Sequence, residues 1–277
     1  MLSYSAVFSD IDGTLLNSQH YLTIPVIQAV KKYTQANGRF VLASARPPQA
    51  MIEFADQLWI QAIFVSLNGA YLCQFDPKKN TFKTLAENPL AATAVWQFYQ
   101  ALKQQQLRPE MNFFCQTNWY TEKIGPRIKR ESKITGLSPT LVNLKKILAP
   151  TTKIHKILCL ADPPLIRQIQ QLILKHPTWK LVASRSDPTY LEIVQQGVSK
   201  GQALKYLCNL WQIPLTKSLA IGDSENDLSM LQAAGFSVAP HNASPQIRQF
   251  ADAIVSDNEH QAVAVMLEKF CCYSDFF

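Results

Sequence analysis

The chain has 277 residues, of which 47% are apolar, so it can bury one large core or two smaller ones and is neither disordered nor fibrous. No segment approaches the ~20 uninterrupted apolar residues that span a bilayer, and the N-terminal residues lack the basic and small-residue flanks of a secretory signal, so we expect a soluble, cytoplasmic protein. The formal net charge of +7 suits nucleic acid or phosphorylated metabolites equally, and the six cysteines lack the paired CxxC spacing of a zinc site or a disulfide framework.

Short apolar runs alternate with helical segments at both ends of the chain. The N-terminal part predicts strands at 4–9, 39–44 and 62–66, with helices from Pro25 to Gly38 and from about Pro47 to Leu58. The C-terminal part continues with helices at 199–211, 226–234, 244–250 and 257–270 and strands at 218–222, 236–239 and 253–255. This alternation predicts an α/β fold with a doubly wound, Rossmann-like parallel sheet, in which ligands bind beyond the carboxyl ends of the strands.

The middle of the chain follows a different order. It predicts helices at 89–105 and 163–175 and strands at 110–116, 118–122, 154–160, 179–184 and 189–194. Strands that follow each other so closely indicate an α+β insertion of roughly a hundred residues, large enough for a second domain. We place the core at 1–82 and 188–277 and the inserted domain at 83–187.

Two carboxylates stand two residues apart at the end of the first predicted strand, in the sequence DIDGT at 10–14. Asp10 and Asp12 can both point into the crevice beyond the strand before Gly13 turns the chain. Two buried carboxylates there would be costly without a cation. The same five residues would also suit an ordinary Asp-Gly turn, so their interpretation depends on other segments.

A second acidic cluster, GDSEND at 222–227, follows another apolar strand and opens a helix. Acidic residues at such a position could simply cap the helix. However, Asp223 and Asp10 both follow strands of the predicted sheet and can converge on one cation with oxygen ligands. Mg²⁺ usually takes one or two carboxylates together with phosphate and water. The sequence therefore predicts a magnesium site.

Ser44 and Arg46 follow the strand at 39–44, and Lys200 begins a helix in the sequence GVSKG. Alone, a serine at a strand end is usually a cap and a lysine is usually solvated. The glycines near Lys200 do not fit the GxxxxGK[ST] phosphate loop, which argues against a P-loop nucleotidase.

Four motifs in this order resemble the haloacid dehalogenase superfamily, and within it the Cof-type phosphatases: DIDGT at 10–14, SAR at 44–46, GVSKG at 197–201 and GDSENDLSML at 222–231. The weaker matches NGA at 68–70 and VAPHNA at 238–243 extend the resemblance over nearly the whole core. The resemblance implies a Rossmann-like core and a mechanism that passes through an aspartyl-phosphate.

The resemblance also implies a role for each motif residue. Asp10 would be the nucleophile and Asp12 the general acid and base. Mg²⁺ would be held by Asp10, the backbone carbonyl of Asp12 and Asp223, with Asp227 a direct ligand or a residue that orients one. Phosphate or substrate would be bound by Ser44, Arg46, Lys200 and Asn226.

The chain departs from the Cof-type pattern at three places. Ser44-Ala45-Arg46 stands where relatives usually have Thr-Gly-Arg, but the hydroxyl needed for phosphate binding is kept. Pro240-His241 replaces a common Met-Gly pair, and His260-Gln261 replaces an acidic residue and glycine. The last two departures leave the substrate contacts open.

The position of the insertion predicts its type. One helix fills the space between Asp12 and Ser44, whereas the long insertion separates Ser44 from Lys200, which corresponds to a C2-type cap. By resemblance, such a cap closes over the active site and selects the leaving group. The basic stretches at 123–133 and 145–156 could meet an anionic substrate, although a solvated surface is the commoner explanation.

The sequence therefore predicts a Mg²⁺-dependent phosphatase that acts on a small phosphorylated metabolite, with no nucleic-acid or membrane partner. Sugar phosphates, nucleotides and cofactor phosphates all remain candidate substrates, and the oligomeric state is open. One alternative is a phosphomutase of the same superfamily, which usually carries a cap between the first two motifs. The other is a non-catalytic phosphate- or nucleic-acid-binding module, which would have no use for Asp12 as a proton donor.

Overall fold

Strands from both ends of the chain join in one sheet. The computed structural model describes residues 2–271, apart from the side chain of Ser186. Its strands are β1 (Ala6–Ser9), β2 (Arg39–Ala43), β3 (Ile63–Ser66), β4 (Tyr71–Asp76), β5 (Thr81–Glu87), β6 (Glu110–Cys115), β7 (Asn118–Thr121), β8 (Thr140–Leu141), β9 (Lys156–Leu160), β10 (Leu181–Asp187), β11 (Tyr190–Gln195), β12 (Ser218–Ile221), β13 (Phe236–Pro240) and β14 (Ala253–Val255). Within the described residues, the larger sheet has the order β14-β13-β12-β1-β2-β3-β4-β5.

The helices separate most of these strands in the chain. They are α1 (Ile24–Gln35), α2 (Ile52–Gln57), α3 (Ala92–Gln104), α4 (Pro126–Thr135), α5 (Leu144–Ile147), α6 (Pro163–Leu174), α7 (Lys200–Leu210), α8 (Leu228–Ala233), α9 (Pro245–Phe250) and α10 (Ala262–Phe270). Three helices predicted as continuous start instead with a short 3₁₀ turn, at Pro48–Met51, Glu225–Asp227 and Asn258–His260.

The predicted parallel sheet is present as a run of six strands, from β14 to β3. β1 pairs in parallel with β2 on one side and with β12 on the other, and every residue of β1 is buried. A strand covered on both faces needs a continuous apolar run, which is why the sequence signal at this point is short and unbroken.

The edge beyond β3 differs from the prediction. β4 runs antiparallel to β3, and β5 follows it at the edge of the sheet. The sequence analysis did not predict these two strands. β5 is exposed or half-buried along its length and lacks an apolar run. Their turn is stabilised locally, since the backbone N–H of Lys78 donates to the Asp76 carboxylate at 3.0 Å.

The chain divides into two compact units. The core unit comprises the residues up to Ala45, Met51–Leu85 and the residues from Ser199 onward, and the insert unit comprises Arg46–Ala50 and Ala86–Val198. The longer segment of the insert unit, Ala86–Val198, therefore begins after the expected residue 83 and ends after the expected residue 187. The later end has a plain cause, because β11 pairs with both β9 and β10 in the sheet of the insert unit.

The insert unit is built on a six-stranded sheet of order β10-β11-β9-β6-β7-β8. Side chains of α3 and α6 form an apolar core with alternate residues of the strands, including Phe113, Ile157 and Ile193. The segment at 123–133, expected to be a basic stretch, largely forms α4, which Gly136 ends in a left-handed conformation at φ 68°.

No helix within residues 2–271 is long and apolar enough to cross a membrane. Of the six cysteines, Cys73, Cys115, Cys159, Cys208 and Cys271 are buried as free thiols. Cys272 lies outside the described residues.

Candidate active site

Asp10 and Asp223 follow neighbouring strands of the core unit. Ser9 is aligned with Ile221 in the parallel pair of β1 and β12, and the backbone N–H of Asp10 donates to the Ile221 carbonyl at 3.0 Å. Because parallel strands present their carboxyl ends at the same edge, the two acidic motifs leave the sheet side by side. Pairing in the sheet thus brings together residues that are distant in sequence.

Gly13 makes the close approach of the two motifs possible. It has a φ of 80°, and a Cβ at this position would lie 2.7 Å from Oδ2 of Asp223. The next residue, Thr14, donates from its hydroxyl to Oδ1 of Asp223 at 2.8 Å. The turn after Asp12 therefore both leaves room for the Asp223 carboxylate and orients it.

Lys200 enters the same cluster from the first turn of α7. The Ser199 side chain caps this helix by accepting from the Gln202 N–H at 3.2 Å. Lys200 is fully buried, and its Nζ lies 2.5 Å from Oδ1 of Asp10 and 2.6 Å from Oδ1 of Asp227. The ammonium group therefore holds the two carboxylates in fixed positions.

Burial and crowding of like charges perturb the acids. Desolvation raises the pKa of Asp10 well above its usual range, and the charge of Asp227 adds to this increase while Lys200 opposes it. Desolvation, together with the charge of Asp227, raises the pKa of Asp223 to about 6. Burial lowers the pKa of Lys200, but the charges of Asp10 and Asp227 outweigh it and leave the pKa raised.

The donor set fits a hard divalent cation. Carboxylate oxygens of Asp10, Asp223 and Asp227 lie within 4.8 Å of one another. A cation bound among these carboxylates would offset their like charges.

Asp227 has contacts that bear on its role. Its Oδ1 accepts from Lys200, and its Oδ2 accepts from the backbone N–H groups of Asp223 and Ser224 at 3.1 and 3.0 Å. The hydroxyl of Ser224 donates to the same oxygen at 3.2 Å. The carboxylate thus fixes the loop that carries Asp223 as well as the Lys200 ammonium.

Asp12 lies in a different environment from Asp10. Its side chain is 43% exposed, and its Oδ1 is 3.5 Å from Nδ1 of His20. The charge of the Asp12 carboxylate contributes to the raised pKa of Asp10, so the two side chains interact electrostatically.

The remaining predicted residues are less closely grouped. Ser44 is buried directly after β2, and its carbonyl accepts from the Asn68 N–H at 3.1 Å. Asn226 donates to Oδ1 of Asn68 at 3.2 Å and accepts from the Ser224 hydroxyl at 2.6 Å. Arg46 is buried and belongs to the insert unit.

Three contributors to the site had no role in the sequence analysis: Thr14, Asn68 and Asn242. Asn68 links Asn226 to the Ser44 backbone, and Asn242 donates to the Gly13 carbonyl at 2.8 Å. The motif matches contained all three residues, so a signal was present. Their roles depend on long-range contacts that the motif letters do not specify.

Comparison with known proteins gives consistent matches over almost the whole chain. The model of the family described as haloacid dehalogenase-like hydrolase matches residues 7–267. One relative is a Haemophilus influenzae protein whose name gives phosphatase as its provisional activity. It is 28% identical over 97% of this chain and 98% of its own length. The HMP-PP phosphatase of Klebsiella pneumoniae is 25% identical over 93% of this chain and 92% of its own length.

Solved structures share the fold. A haloacid dehalogenase-like hydrolase from Bacteroides thetaiotaomicron aligns with a TM-score of 0.82 at 25% identity, covering 96% of this chain and 99% of that one. The similarity extends over both units, so neither is peculiar to this chain.

Proposed function

Since the chain belongs to the haloacid dehalogenase-like hydrolases and is a phosphatase, we propose that it hydrolyses a small phosphomonoester through an aspartyl-phosphate on Asp10, with Mg²⁺ as its cofactor. The observation that carries this proposal is the buried cluster in which Lys200 contacts both Asp10 and Asp227 beside Asp223.

The first step forms a bond between a carboxylate oxygen of Asp10 and phosphorus. The bond from phosphorus to the ester oxygen breaks, and its electron pair leaves with that oxygen. A carboxylate approaching a phosphate is repelled by about 4 kcal/mol per charge pair at 4 Å and an effective dielectric constant near 20. The positive charge of Lys200, 2.5 Å from Asp10, opposes this repulsion.

Mg²⁺ would be held by Asp10, the backbone carbonyl of Asp12 and Asp223. When bound, it would supply positive charge to the phosphoryl oxygens. We assign Asp227 mainly to orientation, because its oxygens already accept hydrogen bonds from Lys200 and from the loop that carries Asp223.

Asp12 would move the protons in both steps. It donates a proton to the departing ester oxygen, and the partly exposed position of its carboxyl is compatible with contact to substrate and water. In the second step it takes a proton from water as the water oxygen attacks phosphorus. The bond from phosphorus to Asp10 then breaks, phosphate leaves, and the Asp10 carboxylate is restored.

Ser44, Arg46 and Asn226 are assigned to substrate. The Ser44 hydroxyl and the Lys200 ammonium would hold phosphoryl oxygens, and the anchoring of Asn226 by Asn68 and Ser224 would preorganise its amide. The insert unit would select the leaving group. One relative is named as a phosphatase of HMP-PP, and we propose a small phosphorylated metabolite as the substrate here as well, without nucleic acid.

The test is phosphate release from p-nitrophenyl phosphate with and without Mg²⁺. We expect turnover that chelation abolishes and added Mg²⁺ restores, and a loss on the order of 10³-fold or more for Asp10→Asn. Asp56→Asn, an exposed aspartate on α2, is the matched control and should keep its rate. Turnover that survives chelation would remove the metal from the mechanism, and a folded Asp10→Asn variant with near-native rates would remove the nucleophile.

A further inference from the structure

The core unit contains a cavity of about 350 Å³ for which the proposed chemistry has no use. One wall is formed by Gly38, Arg39 and Val41 around the start of β2, and another by Gln61 and Ile63 around the start of β3. A volume of this size lies within the range of small-molecule sites.

The cavity lies at the amino ends of the strands, whereas the proposed catalytic residues follow their carboxyl ends. Arg39 is the first residue of β2, and Ser44 directly follows its last residue. With a rise of about 3.3 Å per residue, the strand separates these two positions by roughly 16 Å. A molecule in the cavity would therefore not occupy the phosphate site.

The cavity occupies a gap between two neighbouring strands of the sheet. β2 is aligned with β1 over Arg39–Leu42, but with β3 at Leu42 and Ala43. The backbone N–H of Ile63, the first residue of β3, donates to the Gln61 carbonyl at 2.7 Å. The two strands therefore diverge at their amino ends and leave an opening between their first residues.

Trp59, on one side of the cavity, has an unfavourable position for a tryptophan. Its side chain is 72% exposed, and its φ is 57°. The Trp59 N–H donates to the Asp56 carbonyl and the Ile60 N–H to the Ala55 carbonyl, both at 3.1 Å, which is the helix-ending arrangement that favours glycine. A bulky side chain in this left-handed conformation is strained, and an exposed indole gains little from burial.

Two positively charged side chains lie against indole rings at the cavity. Nζ of Lys31 is 4.8 Å from the ring centre of Trp59, and Cζ of Arg39 is 4.7 Å from that of Trp211. Trp211 is held in place by stacking on the buried ring of Phe8. Within the described part of the chain, neither cation forms an ion pair with a carboxylate, and no acidic residue lines the cavity.

Stability does not account for this arrangement. A cation–π contact at an exposed site is worth no more than the strain of a left-handed residue costs. Glycine would suit the backbone at position 59 better, and an exposed lysine needs no aromatic partner. Strained residues that persist beside a cavity are typical of ligand sites, where the side chain is kept for the contact that it makes.

The side chains at the cavity indicate the chemistry of the ligand. Indole faces stack on flat rings, and a guanidinium group binds a carboxylate, sulfonate or phosphate through parallel hydrogen bonds. An anion without a ring would leave the Trp59 indole uncovered, and an uncharged ring would leave the charges of Lys31 and Arg39 without a counter-ion. A positively charged ring would be repelled by both.

We propose that this cavity binds a small aromatic anion, with its ring against Trp59 and its negative charge near Lys31 and Arg39. We call these three residues and Trp211 the tryptophan site. Nucleotides and aromatic acids share the required chemistry. The site is separate from the phosphatase function proposed above, and its occupation requires neither Mg²⁺ nor turnover.

The test follows the indole N–H signals of the five tryptophans in ¹⁵N-labelled protein during titration with AMP or with naphthalene-2-sulfonate. A chelator is present to prevent hydrolysis of AMP, and naphthalene-2-sulfonate has no phosphate to lose. We expect the signals of Trp59 and Trp211, assigned with Trp59→Phe and Trp211→Phe, to move along one saturation curve. Trp96, Trp119 and Trp179 belong to the insert unit, and their signals should not follow that curve.

Two fragments of AMP test the two halves of the recognition. Adenosine lacks the anion, and ribose 5-phosphate lacks the aromatic ring, so each should bind the tryptophan site at least about 10-fold more weakly than AMP. Arg39→Gln should weaken AMP by about 10-fold and change the affinity for adenosine little. Lys78→Gln, at the exposed turn between β4 and β5, is the matched control for net charge and should leave both affinities unchanged.

Trp59→Gly separates binding from stability. Because glycine adopts the left-handed conformation readily, the melting temperature should stay near that of the wild type or rise. The affinity for AMP, read from the Trp211 signal, should fall by at least about 10-fold. Trp59→Asn, which also tolerates this conformation, is the second variant, and Trp96→Ala, at another exposed tryptophan, should bind AMP normally.

The possible results are distinct. Signals of Trp59 and Trp211 that do not move at millimolar AMP or naphthalene-2-sulfonate would overturn the site, as would normal AMP binding by folded Trp59→Gly and Trp59→Asn. Adenosine or ribose 5-phosphate that binds as tightly as AMP would overturn the aromatic anion as the ligand class. Binding of AMP alone would support a nucleotide, and binding of naphthalene-2-sulfonate as well would support aromatic anions in general.

Discussion

At the scale of single residues, Asp10 and Asp12 share a motif but not an environment. Asp10 is 6% exposed and accepts from the buried Lys200, whereas the Asp12 side chain is 43% exposed and lies beside His20. A fixed carboxylate suits attack on phosphorus, and a carboxyl that reaches solvent suits proton exchange. The two proposed roles therefore correspond to the difference in solvent exposure between the Asp10 and Asp12 side chains.

Asp12→Asn tests the role of the second acid. It removes proton transfer but keeps the backbone carbonyl assigned to Mg²⁺, so the affinity for Mg²⁺, measured by calorimetry, should change little. We expect kcat to fall by roughly 10²–10⁴-fold for an alkyl phosphate and by less for p-nitrophenyl phosphate, whose leaving group needs little protonation. Equal losses, together with a rate that is limited by the first step, would contradict the assignment of Asp12 as the acid.

At the scale of secondary-structure elements, a buried histidine joins three parts of the insert unit. His155 precedes β9, and its Nδ1 accepts a hydrogen bond from the backbone N–H of Gln116 at 3.1 Å. Its Nε2 lies 3.1 Å from Oε2 of Glu87, the last residue of β5. Lys153 and Gln116 donate to the same carboxylate. Burial lowers the pKa of His155, although Glu87 opposes the shift. The network therefore holds a neutral imidazole.

This network predicts that stability falls as the pH becomes acidic. Unfolded histidine binds a proton near pH 6.5, whereas His155 in the folded state does so only at lower pH, so the free energy of unfolding decreases as the pH falls below about 6.5. The hydrogen bond from Lys153 lowers the pKa of Glu87 to about 2, which adds a second decrease below pH 4.5.

His155→Gln should isolate the first of these effects in urea unfolding between pH 8 and pH 5. The variant should be less stable at pH 8, because it loses the fit of the buried ring. The variant and the wild type should differ less in free energy of unfolding as the pH falls toward 5. This difference should shrink by up to about 1.4 kcal/mol for each unit by which folding lowers the pKa of His155. A difference that stays constant over this range would show that His155 does not carry the acid sensitivity.

At the scale of the whole molecule, the proposed chemistry and the proposed selectivity belong to different units. Asp10, Asp12, Ser44, Lys200, Asp223, Asn226 and Asp227 lie in the core unit. Arg46 lies in the insert unit, to which we assign the choice of leaving group. The chain passes between the units near Ala45, Ala50, Leu85 and Val198.

Replacing residues 86–198 with a short flexible linker should separate the two properties. We expect weak Mg²⁺-dependent hydrolysis of p-nitrophenyl phosphate to remain and discrimination among metabolites to be lost, because leaving-group contacts and exclusion of water would come from the insert. Circular dichroism and a cooperative melt must first show that the shortened chain folds. The same deletion with Asp10→Asn is the control for contaminating activity. A folded, Mg²⁺-binding core without any turnover would show that the insert supplies an essential catalytic group.

The sequence by itself determined the family, the alternation of strands and helices in the core, and the position of two acidic motifs directly after strands of its sheet. Parallel strands buried on both faces require short apolar runs, and the acids that follow β1 and β12 must then meet at one edge of the sheet. These features are local, so they can be recognised from runs and motifs.

Only the tertiary structure decided which side chains act on one another. The half-exposed strand β5 has no apolar run, and α4 could not be distinguished from a solvated basic stretch. Thr14 bonds Asp223 and Asn68 bonds Asn226 across long stretches of chain. The Lys156–Glu192 pair depends on the register of β9 and β11, which places two ordinary charged residues on one buried face. Such pairings are set by the packing of distant segments, and no local pattern specifies them.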